Sequence, residues 1–167
     1  VTGNAVFGDA TTDSVTGLAS LTVSGTTAIN TNTITTSGLQ TYTGPVPLGT
    51  GVNTTLTSTG NPITFSNTVN GAGALTVTTG GQTTFTLAVG GLTPLVSLTT
   101  NGGGSTAVNG GSVTTTSGQT FSDAVTYPVN TIFNAGAGTL TFGSTVTPTV
   151  GGLTLNLTAD EMVFSGG

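Results

Sequence analysis

The sequence predicts an all-β chain wound into a parallel β-solenoid of about twenty residues per coil, and three observations carry that prediction. Short apolar runs alternate with polar residues at period two. Gly and Asn pairs punctuate them along the whole chain. A long internal repeat carries a shorter beat inside it.

Thr, Val, Ile and Phe dominate the apolar runs and helix-forming charged patterns are missing, so strand is favoured over helix almost everywhere. Alternation appears in Leu21-Thr22-Val23, Ile63-Thr64-Phe65, Leu75-Thr76-Val77, Leu140-Thr141-Phe142 and Leu153-Thr154-Leu155-Asn156-Leu157. Each run offers one apolar face to a core. Between the runs lie Asn70-Gly71, Gly80-Gly81, Gly90-Gly91, Asn101-Gly102-Gly103-Gly104, Asn109-Gly110-Gly111 and Gly151-Gly152, which supply turns with positive φ at little steric cost. No composition shift marks a linker, so residues 1–167 read as one segment. At 34% hydrophobic residues and a mean hydropathy of +0.31 the chain is too apolar for a charge-swollen disordered polymer.

The repeat aligns Thr26-Thr27-Ala28-Ile29-Asn30 with Ser105-Thr106-Ala107-Val108-Asn109, and Gln40-Thr41-Tyr42 with Gln119-Thr120-Phe121. It also aligns Ile63–Val69 with Leu140–Val146, Phe85 with Phe164, Phe7 with Phe85, and Leu21 with Leu98. The unit is about 78 residues long and carries a finer beat inside it. Its copies lie at approximately 14–91 and 92–167, with 1–13 as the end of a preceding copy. Within the unit, large residues of inward type fall at Phe7, Ile29, Tyr42, Phe65, Phe85, Val108, Phe121, Phe142 and Phe164. Most steps between them are about 20 residues, the length of one solenoid coil. The strands of each coil stack on the next at about 4.8 Å. Two steps are much shorter, Ile29 to Tyr42 and Val108 to Phe121, which places those landmarks on different faces of a coil. Stacking sets like on like, which explains why charge is scarce, because stacked Lys or Asp would repel along each ladder. The alternative architecture is an antiparallel β-sandwich, the subunit of an extracellular filament completed by a neighbour's strand.

Composition removes several functions. With Lys+Arg 0 and His 0 against five acids, the chain has no side-chain cation to displace counterions from nucleic acid or to hold an anionic membrane. No run approaches 18 apolar residues, so direct membrane insertion is not expected. Without Cys there are no disulfides or thiolate metal sites. The start, Val1-Thr2-Gly3-Asn4, lacks an initiator Met and a basic leader, and reads as an internal fragment or a processed chain.

The Thr26–Asn30 segment, the Ser112–Val125 run and the Ile63–Val69 segment resemble filamentous-haemagglutinin-like and autotransporter-type giant adhesins. The likeness is to the Thr/Gly/Asn-rich "beta strand repeat" regions of very large bacterial surface proteins, and it covers nearly the whole chain. The resemblance implies a right-handed β-helix that is exported to the cell surface or beyond and serves in adhesion, aggregation or as a stalk. Its partners would be neighbouring repeats or head-to-tail copies of itself, surface glycans or other cells. It implies no catalytic residue and no cofactor.

The candidate chemistry is sparse. The acids Asp9, Asp13, Asp123, Asp160 and Glu161 are scattered. Asp9 aligns near Leu87 and Asp123 with Gly44 in the repeat, so no paired-carboxylate centre is expected. Asp160-Glu161 falls far short of the six to eight oxygens of a Ca²⁺ site, and the abundant Ser and Thr have no His or Lys to act as base. Catalytic, cofactor and metal residues are therefore all expected to be none. Asn53-Thr54-Thr55 and Asn156-Leu157-Thr158 match the N-glycosylation acceptor pattern. Thr-x-Thr patterns at Thr57–Thr59, Thr76–Thr78, Thr139–Thr141 and Thr147–Thr149 raise ice binding as a further alternative. That function needs a regular rank of Thr on every coil. Here the Thr residues lie beside Pro and Gly and interchange with Ser and Asn, which ordinary strand propensity explains.

Overall fold

The computed structural model describes residues 1–166. It is a parallel β-solenoid of about eight turns, with successive turns about 21 residues apart. Twenty-two strands, β1 to β22 in chain order, divide among three faces.

The first face is an eight-stranded sheet: β2 (Ser14–Leu18), β5 (Thr33–Thr36), β8 (Asn53–Ser58), β11 (Ala74–Thr79), β13 (Ser97–Asn101), β16 (Gly118–Phe121), β19 (Thr139–Phe142) and β22 (Glu161–Phe164). The second has seven: β3 (Leu21–Val23), β6 (Gln40–Tyr42), β9 (Ile63–Phe65), β12 (Gln82–Phe85), β14 (Ser105–Val108), β17 (Ala124–Tyr127) and β20 (Val146–Pro148). The third is the most broken: β1 (Ala5–Phe7), β4 (Thr27–Ile29), β7 (Val46–Pro47), β10 (Val69–Asn70), β15 (Ser112–Thr114), β18 (Thr131–Asn134) and β21 (Leu155–Thr158). Single bridges through Leu48 and Val89 join its pieces.

Every strand pairing among the described residues is parallel. This rules out the antiparallel sandwich. The physical reason lies in the turns: a hairpin folds a strand back on its neighbour, whereas here each turn is a corner that passes the chain to the next face. A strand then meets its partner only after a full coil.

The core is one column of side chains along the axis, including Ile34, Leu56 and Val77 from the first face, Tyr42, Phe65 and Phe85 from the second, and Ile29, Val69 and Val113 from the third, all buried. Tyr42, Phe65 and Phe85 stack with centroids 5.2 and 5.1 Å apart. Phe121, Phe142 and Phe164 form a second stack at 5.4 and 5.5 Å, and Phe133 meets Phe121 and Phe142 edge-on. These spacings follow from the coil rise of about 4.8 Å. They lie inside the range where offset-stacked rings attract.

The structure also shows how the long repeat fits the coil. From Tyr42 the second face rises through Phe65 and Phe85 to Val108. The repeat counterpart of Tyr42, Phe121, then lies two faces further on, in β16 of the first face. One repeat therefore spans three coils and two faces, and each copy is turned by one face. Phe7, Phe85 and Phe164 accordingly sit on the third, second and first faces. The two short steps in the beat do separate different faces, Ile29 lying in β4 and Tyr42 in β6, Val108 in β14 and Phe121 in β16.

A buried glutamine at a corner travels with the repeat. Gln40 Nε2 donates to the Ile34 carbonyl, to Thr36 Oγ1 and to the Thr57 carbonyl at 3.3, 3.3 and 2.9 Å. Gln119 Nε2 donates to the Val113 carbonyl, Thr115 Oγ1 and the Asn134 carbonyl at 3.1, 3.4 and 2.8 Å. The two corners differ at one atom. Tyr42 hydroxyl donates to Gln40 Oε1 at 2.8 Å, whereas Phe121 in the same place has no hydroxyl and Gln119 Oε1 is buried without a partner.

Both the aromatic column and the glutamine corner can be tested by substitution. Phe142→Ala removes a ring 1% exposed and should cost about 3–5 kcal/mol in denaturant unfolding, lost locally if the array frays by coils. A loss under about 0.5 kcal/mol, typical of surface sites, would refute its burial.

Tyr42→Phe should orphan Gln40 Oε1 and cost about 1–3 kcal/mol, and Phe121→Tyr should recover part of that at Gln119. Burial also pushes the Tyr42 phenol well above its ordinary range. The unfolded chain ionises that phenol near pH ~10 while the folded chain keeps its proton. The stability it contributes is complete below that pH and is lost as pH rises above it. The Tyr42→Phe variant should show a shallower alkaline loss in unfolding curves taken across pH. An unchanged alkaline limb would contradict the assignment.

Candidate functional site

Along a strand, alternate side chains face outward, so stacking coils in register turns equivalent outward residues into columns. On the first face Thr33 pairs with Thr55, Thr55 with Thr76, Thr76 with Thr99, Thr99 with Thr120 and Thr120 with Thr141. This is an unbroken rank of threonine over six coils, bounded by Ser14 at one end and Val163 at the other. A parallel column two residues along the strand holds Thr35, Thr57, Thr78 and Asn101.

The second face carries a narrower rank: Thr22, Thr41, Thr64 and Thr84, then Ala107, then Thr126 and Thr147. The third face is mixed, with Val6 opposite Ala28, Pro47 opposite Asn70, and Thr114 opposite Asn134.

Thus the regularity that the local Thr-x-Thr patterns lack is present between coils. Thr76–Thr78 and Thr139–Thr141 do fall on the first face. Thr147–Thr149 lies at the end of the second face, and Thr59 leaves β8 for a corner. The residues that complete the rank, Thr33, Thr55, Thr99 and Thr120, carry no local signal beyond strand propensity. Only a coil-length comparison of the sequence brings them together.

Hydroxyl use differs between several inward threonines and the first-face rank. Several inward threonines donate inside the solenoid, Thr54 to the Thr31 carbonyl and Thr79 to the Asn61 carbonyl of the preceding coil at 2.9 and 2.6 Å, and Thr106 to Thr100 Oγ1 of its own coil at 2.9 Å. Thr27 and Thr83 are the buried hydroxyls without a partner among the described residues. The half-buried hydroxyls of the first-face rank make no side-chain hydrogen bond within the described residues and point to solvent. A shallow cleft of about 350 Å³ beside the bulge in β2 is lined by Gly17, Leu18, Thr35, Thr36, Ser37 and Thr59. No charged group lines it.

The carboxylates are not gathered. Asp9 and Asp13 share the first corner, where Asp13 Oδ2 accepts from the Asp9 and Ala10 amides at 2.9 and 3.1 Å, and these bonds hold its pKa below the ordinary value. Asp123 is buried in a corner between the first and second faces, where Oδ1 accepts from the Gly103 amide at 2.9 Å and Oδ2 has no partner. Glu161 Oε2 accepts from Thr139 Oγ1 at 3.2 Å in the last coil. Among the described residues no three acids come together as a metal-binding group. Asn53 and Asn156, the glycosylation candidates, are both exposed on strands.

No protein-family model, curated protein or solved structure matches this chain.

The contrast in hydroxyl use is measurable. Thr54→Val deletes an inward donor and should cost about 0.5–1.5 kcal/mol, whereas Thr76→Val on the outward rank should stay within about ±0.5 kcal/mol. Equal losses in paired unfolding curves would place the two hydroxyls in equivalent settings.

Proposed function

We propose that the chain is a structural and adhesive segment of a large secreted or cell-surface bacterial protein, a rod whose broad neutral surface makes many weak contacts. The observation that carries this reading is the continuous parallel stacking of about eight coils. At about 4.8 Å per coil the rod is roughly 40 Å long. Inner strands already have partners above and below, so assembly by strand exchange has no gap to fill between coils. The absence of any side-chain cation from the sequence, which leaves its five acids without a basic partner, is what favours a role without catalysis.

Self-association is part of the proposal: neighbouring repeats of the same chain or head-to-tail copies would extend the stack by adding parallel strands to its edges.

Beads coated densely with the chain should adhere to bacterial cells or to glycan-coated surfaces far better than one soluble chain binds them, by roughly 10²–10⁴ in apparent affinity. Micromolar binding of one sugar or of Ca²⁺ by a single chain, turnover of a substrate, or coated beads no stickier than bare ones would each overturn the reading.

A further inference from the structure

We infer that the first face of the solenoid binds ice, through the threonine rank that runs from Thr33 to Thr141. The inference rests on the adhesive reading and names one surface to which the rod would adhere.

The rank is half of a two-dimensional array. Coils repeat at about 4.8 Å, and residues two apart on a strand are about 6.6–6.8 Å apart. On three successive strands, β5, β8 and β11, both positions are threonine: Thr33 and Thr35, Thr55 and Thr57, Thr76 and Thr78. Each hydroxyl donates and accepts, as each water of an ice lattice does, and each γ-methyl beside it gives neighbouring water no competing partner.

Three further features suit an extended solid rather than a small solute. Rank hydroxyls are not spent on the protein, whereas the inward ones of Thr54, Thr79 and Thr106 are. β-Branched side chains on a hydrogen-bonded strand have restricted χ1, and the saturated ladder beneath them is rigid, so the array is ordered before it binds and loses little entropy. The rank is also uncharged. Glu161 lies one coil beyond its last threonine, and Asp13 precedes β2. No aromatic side chain of the first face points outward within the rank, Phe121 and Phe142 being buried. A sugar would therefore lack the apolar platform that orients small ligands in their sites.

The face with the array is the one with the long strands. The second face offers a single column interrupted at Ala107, and the third offers none, which makes it the internal control.

The purified chain should partition into slowly growing ice, enriched about tenfold over a control protein of similar size. The double variant Thr76→Tyr/Thr99→Tyr should fall to the control level, and Thr114→Tyr on the third face should partition like the parent. Circular dichroism and melting curves accompany each protein, and Thr76→Lys serves if the double variant does not fold.

Exclusion of the parent chain from ice would overturn the inference. So would an equal loss from Thr114→Tyr, full partitioning of a folded rank variant, or binding to crystalline polysaccharide with exclusion from ice. The bead assay is independent of these outcomes, so an ice result against the inference leaves the adhesive reading standing or falling on its own measurement.

Discussion

Everything in this molecule depends on coil-to-coil backbone pairing. A strand here cannot satisfy its amides and carbonyls with its chain neighbours, because those lie on other faces. It must find them in the coil above or below, one full turn away in sequence. Each residue is thereby forced onto its counterpart in the next coil at a fixed spacing of about 4.8 Å. A residue is tolerated only if it stacks on what lies beneath it, which is why rings meet rings at Tyr42, Phe65 and Phe85.

The corners answer the same demand differently. Where successive coils press together, a side chain has no room: a Cβ on Gly104 would run into the Gly81 carbonyl oxygen, and one on Gly90, which also has φ +68, into that of Thr114. Elsewhere a corner is filled from inside. Gln40 and Gln119 close theirs by sharing amide hydrogens among three acceptors each. These corners sit on different edges of the prism, one leading to the second face and the other to the first. The turning of each repeat by one face thus leaves the local solution intact. It also redistributes whatever a copy displays: Thr41 and Thr64 of the second-face rank have their repeat counterparts, Thr120 and Thr141, in the first-face rank.

Stacking shapes the outer surface as firmly as the core. Like charges in a column would repel at every coil, so a surface built this way tends toward hydroxyls and amides. The outcome is a rod with few charges to steer a partner and, among the described residues, no cluster of acids to activate one.

Much of this was legible in the sequence. Period-two runs with β-branched and aromatic residues determine strands locally. The beat of large residues from Tyr42 to Phe65 to Phe85 gives a coil close to the 21 residues found. Phe65 and Phe142 are inward, as their alternation requires. The sequence by itself therefore determined strand class, stacking and the composition of the interior, because these depend on near neighbours and on hydrophobic pattern. Tertiary structure decided the register. Coil lengths vary, since Ser14 meets Thr33 but Thr76 meets Thr99, and the difference is absorbed in corners whose sequences look alike. That variation settles which face a repeated residue occupies. It also settles that Thr33, Thr55, Thr76, Thr99, Thr120 and Thr141 form one rank while Thr59 and Thr149 do not join it. A one-residue slip would turn every one of those hydroxyls into the core. Only the hydrogen-bonded fit of whole coils, a property no local run of sequence contains, excludes that slip.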